Sequence, residues 1–169
     1  LGGFDGQVFA DDGVTPTLDT TAMESTLQFL HDLEFEYGIV PTESDYASMD
    51  TLFKEGNAAM IVNGDWSIGG YREAMGDSFA VARLPEVEST GEYPKPYTSG
   101  KYFMIPRTLE GNKLATVVEF IRYATSYEKQ VEMVETLSRL PALREALSAE
   151  VVTSDEILQA SASQMEVGV

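Results

Sequence analysis

The chain has 169 residues, 43 % hydrophobic and 10 % aromatic, enough for a domain of ordinary size with a sizeable core. Its 28 acidic and 11 basic residues give a formal charge of −17, with no basic stripe, which excludes nucleic acid and anionic membrane surfaces as partners by repulsion. It has no cysteine, so disulfides, thiolate metal sites and a cysteine nucleophile are excluded as well. The acidity itself reads as a solvated surface.

No stretch reaches the apolar length of a membrane-spanning helix. The opening Leu1-Gly2-Gly3-Phe4-Asp5-Gly6 lacks the starting Met and basic region of a signal peptide, and reads as the interior of a longer polypeptide. Residues 1–18, rich in Gly, Asp and Pro, are a loop with a short pairing near Gln7-Val8-Phe9. A helix follows, with Thr21 and Glu24 in capping-box spacing and Met23, Leu27, Leu30 and Phe35 on one face; Gly38 stops it. Met49 to Glu55 forms a second, short helix closed by Gly56. The run Asn57-Ala58-Ala59-Met60-Ile61-Val62, between Gly56 and Gly64, predicts a buried sheet strand.

Ser67 to Met75 is helical and Phe79 to Ala82 a strand. Pro85, Gly91, Pro94 and Pro96 mark a crossing segment. Tyr102 to Ile105 is a further strand, and Asn112 is the expected cap of a helix carrying Leu114, Val117, Val118 and Ile121. Helices over Tyr127 to Leu137, 143–149 and 154–164 complete the chain, with Ser138-Arg139-Leu140-Pro141-Ala142 as a break. Strands alternating with helices predict an α/β layering with a mostly parallel sheet flanked by helices.

Chemistry for catalysis or metal binding is sparse. His31 is the only histidine, so no metal cluster or Ser-His-Asp set can be built around it, and it reads as a structural residue. There is no Gly-x-Ser-x-Gly elbow, Walker loop or dinucleotide fingerprint, no EF-type calcium loop, and no cofactor is implied. Carboxylates are so many that nominating a glycosidase pair has no specificity. The binding candidates centre on Trp66, the sole tryptophan, at the turn after the Met60 strand. In open α/β sheets ligands sit beyond such strand ends. An indole face suits a sugar's C–H surface, and Asn63 and Asp65 can hydrogen-bond its hydroxyls. The competing reading is that Trp66 fills the core. Tyr46 and Tyr71 can add aromatic surface, though core or rim is the commoner place for such tyrosines. Ser99-Gly100-Lys101 can bring amides and an ammonium to a ligand, or can simply be a tight turn.

The segment F-x-x-G-x-A-A-M-x-x-N-G-x-W, Phe53 to Trp66, resembles the periplasmic solute-binding proteins of sugar ABC importers, the maltose-binding protein group. So do Ile105-Pro106 with the following helix to Tyr123, and Ser138 to Ala142. The likeness runs in order and spacing over most of residues 18–145. It implies a periplasmic-binding-protein-like lobe, part of a two-lobed receptor that closes on a sugar and docks on a membrane ABC permease. By the resemblance Trp66 stacks on a sugar ring, and Ser99, Gly100 and Arg139 lie on cleft-facing crossover segments. Residues 1–95 would be the carboxyl-side lobe segment, 96–141 the crossover segment belonging to the other lobe, and 142–169 the return helices.

The resemblance further implies an extracytoplasmic place, in the periplasm or as a cell-surface lipoprotein, and no enzymatic step. A full receptor would be more than twice as long, so the chain reads as a carboxyl-side-lobe fragment. Self-association through the Leu114/Val117/Val118/Ile121 face is then expected. Asp65 replaces the proline that precedes the tryptophan in the maltose-binding pattern, and Ser99-Gly100 the more usual Gly-Gly. Two alternatives stand beside the sugar: a non-sugar solute such as a polyamine, and a carbohydrate-active enzyme using Asp65 in acid/base work.

Overall fold

The computed structural model describes residues 1–169. Seven α-helices are present: α1 (Thr21–His31), α2 (Tyr46–Lys54), α3 (Ile68–Met75), α4 (Gly111–Ala124), α5 (Tyr127–Leu137), α6 (Glu150–Thr153) and α7 (Glu156–Met165). None is long and apolar enough to cross a membrane. The chain divides into two compact units, one of Leu1–Val62, Arg83–Tyr97 and Gln164–Val169, the other of Asn63–Ala82 and Thr98–Ser163.

In the first unit, α1 begins one residue before its expected cap. Thr20, in extended backbone, accepts the Met23 amide on its hydroxyl oxygen at 3.3 Å. Thr21 is already helical, because either threonine offers a hydroxyl and only backbone geometry chooses between them. The helix loosens into a π-turn over Asp32–Glu36. α2 starts three residues earlier than its apolar pattern suggests, because Asp45 accepts the Ser48 amide at 2.7 Å. Gly56 ends it at φ +73°, a left-handed backbone that a Cβ disfavours. Phe4 and Phe29 meet with ring centroids 5.9 Å apart, and Thr90 Oγ1 donates to the Gly3 carbonyl at 2.6 Å. Gln164 fastens the last residues to the Pro-rich segment: its Oε1 accepts the Leu84 amide at 2.8 Å, and its Nε2 donates to the Pro94 carbonyl at 3.3 Å.

The second unit holds most of the buried apolar side chains: Ile68, Tyr71, Phe79, Val134, Ala146, Ala149, Val152 and Leu158. α5 matches its predicted span and is capped by Ser126. Buried Gln130 on α5 accepts the Ala142 amide at 2.9 Å, which pins the Ser138–Ala142 break against the helix. Asn112 is not the cap of α4: Glu110 holds that position without a side-chain bond, and Asn112 lies within the helix. The segment expected as one helix over 143–149 is a 3₁₀ turn, Arg144–Ser148, followed by the single turn of α6.

The mostly parallel sheet does not form among these residues. The only β-pairing is two isolated antiparallel bridges, Phe9 with Pro16 and Val87 with Glu92. Ala58–Val62, Phe79–Ala82 and Tyr102–Ile105, expected as strands, are irregular and lie in no ladder, with Ala59 in a bend and Phe79 in extended backbone. Met60 is 86 % exposed, so the strand expected to be buried is open here. An apolar β-rich run favours extended backbone; a ladder also needs a facing strand in register, and no segment of this chain supplies one.

Candidate functional site

The sequence Asn63-Gly64-Asp65-Trp66 joins the irregular Ala58–Val62 run to α3. Asp65–Ser67 forms a single 3₁₀ turn, closed by the Ser67 amide on the Gly64 carbonyl at 3.1 Å. Trp66 stands on this turn with 57 % of its surface exposed. The core-filling alternative for Trp66 is therefore not the one realised. Its indole instead folds back over Gly64. A Cβ placed on Gly64 would lie 2.1–2.4 Å from three atoms of the six-membered ring, so only glycine fits beneath it.

Asn63 organises this turn from within. Its Oδ1 accepts the Gly64 amide at 2.8 Å, and its Nδ2 donates to the Tyr71 hydroxyl at 2.7 Å. Tyr71 is only 3 % exposed and tilts against Phe79, ring centroids 5.5 Å apart. Tyr71 thus contributes no aromatic surface to a ligand; it is core with one polar handle, the usual solution for a buried tyrosine. Asp65 is half-buried on the same turn.

The other candidates occupy three places. Ser99, Gly100 and Lys101 lie in an exposed, irregular stretch of the second unit, where the Tyr102 ring leans over Gly100, its hydroxyl 3.2 Å from where a Cβ would stand. Tyr102 itself is strongly exposed. Arg139 follows Ser138, whose left-handed backbone (φ +50°) ends α5, and is half-buried. The Leu137 carbonyl at that helix end lies 3.3 Å from a Cβ position on Gly69, which makes the Arg139 turn a neighbour of the first turn of α3, just after Trp66. Tyr46 is exposed at the start of α2 in the first unit.

A groove of about 820 Å³ opens in the first unit beside α1, lined among others by Phe4, Glu24, Phe29, Asp32 and Glu88. It contains none of the residues that composition and spacing single out. No group of His, Asp or Glu side chains is arranged to hold a metal ion. The arrangement at Trp66 offers an indole surface, a carboxylate and nearby backbone polar groups, the equipment of a binding site for a neutral polar solute with apolar faces.

The chain is 28 % identical over 158 residues to the maltotriose-binding protein of Pyrococcus abyssi, covering 92 % of this chain and 34 % of that protein. It is 26 % identical over 129 residues to a maltooligosaccharide ABC transporter solute-binding lipoprotein of Streptococcus pneumoniae, 76 % of this chain and 30 % of the relative. Among solved structures, the maltose/maltodextrin-binding domain MalE from Bdellovibrio bacteriovorus, bound to maltotriose, superposes with a TM-score of 0.85 at 36 % identity, covering 99 % of this chain and 44 % of that one. The chain spans about a third of the length of these curated relatives. Its fold is that of part of a maltose-binding-type receptor. The family model described as bacterial extracellular solute-binding protein matches residues 2–160, and the chain belongs to that family.

Proposed function

We propose that the chain is part of the solute-capture subunit of a carbohydrate ABC importer, and that it takes a maltooligosaccharide-type ligand on the Trp66 turn. The observation that carries this reading is the exposed indole of Trp66, backed by glycine and flanked by Asp65. Two of its relatives are named for maltotriose and maltooligosaccharides. A glucose ring would stack its C–H face on the indole, Asp65 would accept hydrogen bonds from its hydroxyls, and Arg139 and the Ser99–Lys101 stretch would add donors. Asn63 would act through the turn, since its amide is engaged with Gly64 and Tyr71.

No covalent step is involved. The receptor would work outside the cytoplasm and deliver the sugar to a membrane permease. In the whole receptor, the segments near Met60, Phe79 and Phe103 would join a sheet with strands from the remaining length. The Leu114/Val117/Val118/Ile121 stripe of α4, half-buried here, would carry any self-association of this chain on its own.

The test is the fluorescence of Trp66, the sole tryptophan, during titration with glucose, maltose, maltotriose, a galactooligosaccharide and spermidine. A saturable change with maltotriose that glucose polymers compete away is expected. A flat response to every sugar, or saturation by spermidine alone, rejects the reading.

A further inference from the structure

We propose that Tyr71 is a positioning residue for Trp66, acting through Asn63 and Gly64 to hold the indole as a ligand-stacking platform. This inference rests on the sugar-binding reading above for its consequence, though not for its geometry.

An exposed tryptophan on a turn is ordinarily free to change χ1 and χ2, and a ring that must be fixed on binding loses affinity to that ordering. Here the ring has a back wall. It lies against Gly64 at a separation that excludes a Cβ, so the position of the Gly64 backbone decides where the indole can rest. That backbone is held on both sides: the Asn63 Oδ1 accepts the Gly64 amide at 2.8 Å, and the Gly64 carbonyl accepts the Ser67 amide at 3.1 Å.

Asn63 would rotate about its own χ angles were its other end not fixed. Its Nδ2 donates at 2.7 Å to the Tyr71 hydroxyl. Tyr71 is the one immobile member of the chain: it is buried on α3, and its ring packs on Phe79. A buried phenol needs a partner for its hydroxyl, and pairing it with the amide that sets the turn gives that requirement a use at the surface. The order from core to platform is Tyr71, Asn63, Gly64, Trp66.

The experiment uses the 169-residue chain and reads Trp66 twice. Without ligand, acrylamide quenching and fluorescence anisotropy report the freedom of the ring. With maltotriose as the probe, the same fluorescence gives affinity. Tyr71→Phe keeps the ring on Phe79 and removes only the hydroxyl; Asn63→Ala cuts the same link from the other side, and serves if the first variant does not fold cooperatively. Both are expected to raise quenching and lower anisotropy, and to weaken maltotriose binding about fivefold, the scale of one hydrogen bond. Val152→Ala is the control: it lowers the melting temperature by loosening the core of the same unit and leaves the Tyr71 hydroxyl and its Phe79 support in place, so Trp66 should stay as quenched and as anisotropic as before.

Unchanged quenching and anisotropy in a folded Tyr71→Phe or Asn63→Ala chain overturns the proposal. So does an equal change in Val152→Ala, which would mean general loosening. If the ligand-free readouts move as expected but the unsubstituted chain ignores maltotriose, the positioning stands and the sugar reading fails.

Discussion

Arg72 on α3 and Asp155, 83 residues later at the start of α7, share a close ion pair: one guanidinium nitrogen of Arg72 donates to both carboxylate oxygens at 2.6 Å. Asp155 simultaneously accepts the Ile157 and Leu158 amides at 3.0 and 3.1 Å, so the same carboxylate caps α7. One side chain thereby ties α3, which follows the Trp66 turn, to the helix that buries Leu158. Asp155→Ala removes a cap and a partly buried charge partner together. It is expected to cost about 2–3 kcal/mol of unfolding free energy, with Asp155→Asn losing less because the amide oxygen can still cap. Urea titrations of the two variants beside the unsubstituted chain measure both.

The same residue makes stability depend on acidity. Burial pushes the Asp155 carboxyl up, but the Arg72 hydrogen bond and the Leu158 and Ile157 amides outweigh it and hold the group below its ordinary value of 3.8. The native state therefore binds this proton less readily than the unfolded chain, and stability rises with pH between the two values. The contribution is complete above about pH 5 and is lost as pH falls through the lowered native value. Asp45, held down by the Ser48 amide, and Asp12, held down by the Thr15 hydroxyl, have the same sign. The stability gap between the unsubstituted chain and Asp155→Asn should be widest near pH 6 and close on the way to pH 3. A gap that stays constant with pH would remove Asp155 from the account.

Helices were legible because their signals are local. The Gly stops after Phe35, Lys54 and Met75 and the span of α5 follow from spacing alone. The cap of α1 falls on Thr20 and not on the expected Thr21, since either hydroxyl is close to a free amide and the backbone decides which one caps. Thr20→Ala should cost about 1 kcal/mol, the usual scale of a lost N-cap, and Thr21→Ala only its smaller propensity difference. Equal losses in thermal unfolding would contradict the bond from the Met23 amide to the Thr20 hydroxyl.

Strands were half legible. Ala58–Val62 and Tyr102–Ile105 have the β-branched and aromatic content of strands and form none, because register and pairing are properties of two segments, and one sequence run carries only half of that information. Burial failed for the same reason: Met60 is apolar and exposed because nothing within these residues faces it. The site divided along similar lines. Trp66 at a turn was visible as an aromatic between Gly64 and a helix start. The inward use of Asn63 and Tyr71 was not, because their eight-residue separation means contact only once the turn and α3 have formed.

Trp66→Ala separates ligand contact from folding. More than half of the side chain is exposed, so its removal exposes little new core and unfolding free energy should change by less than about 1 kcal/mol. If the indole stacks on a sugar ring, maltotriose affinity should fall by about 1–3 kcal/mol, with Trp66→Phe recovering part of it because the smaller ring keeps a flat apolar face. Calorimetry is the right measurement, since the variants lose the fluorophore. A large loss of stability with affinity intact would instead make the indole a clamp on Gly64 and would move the ligand elsewhere.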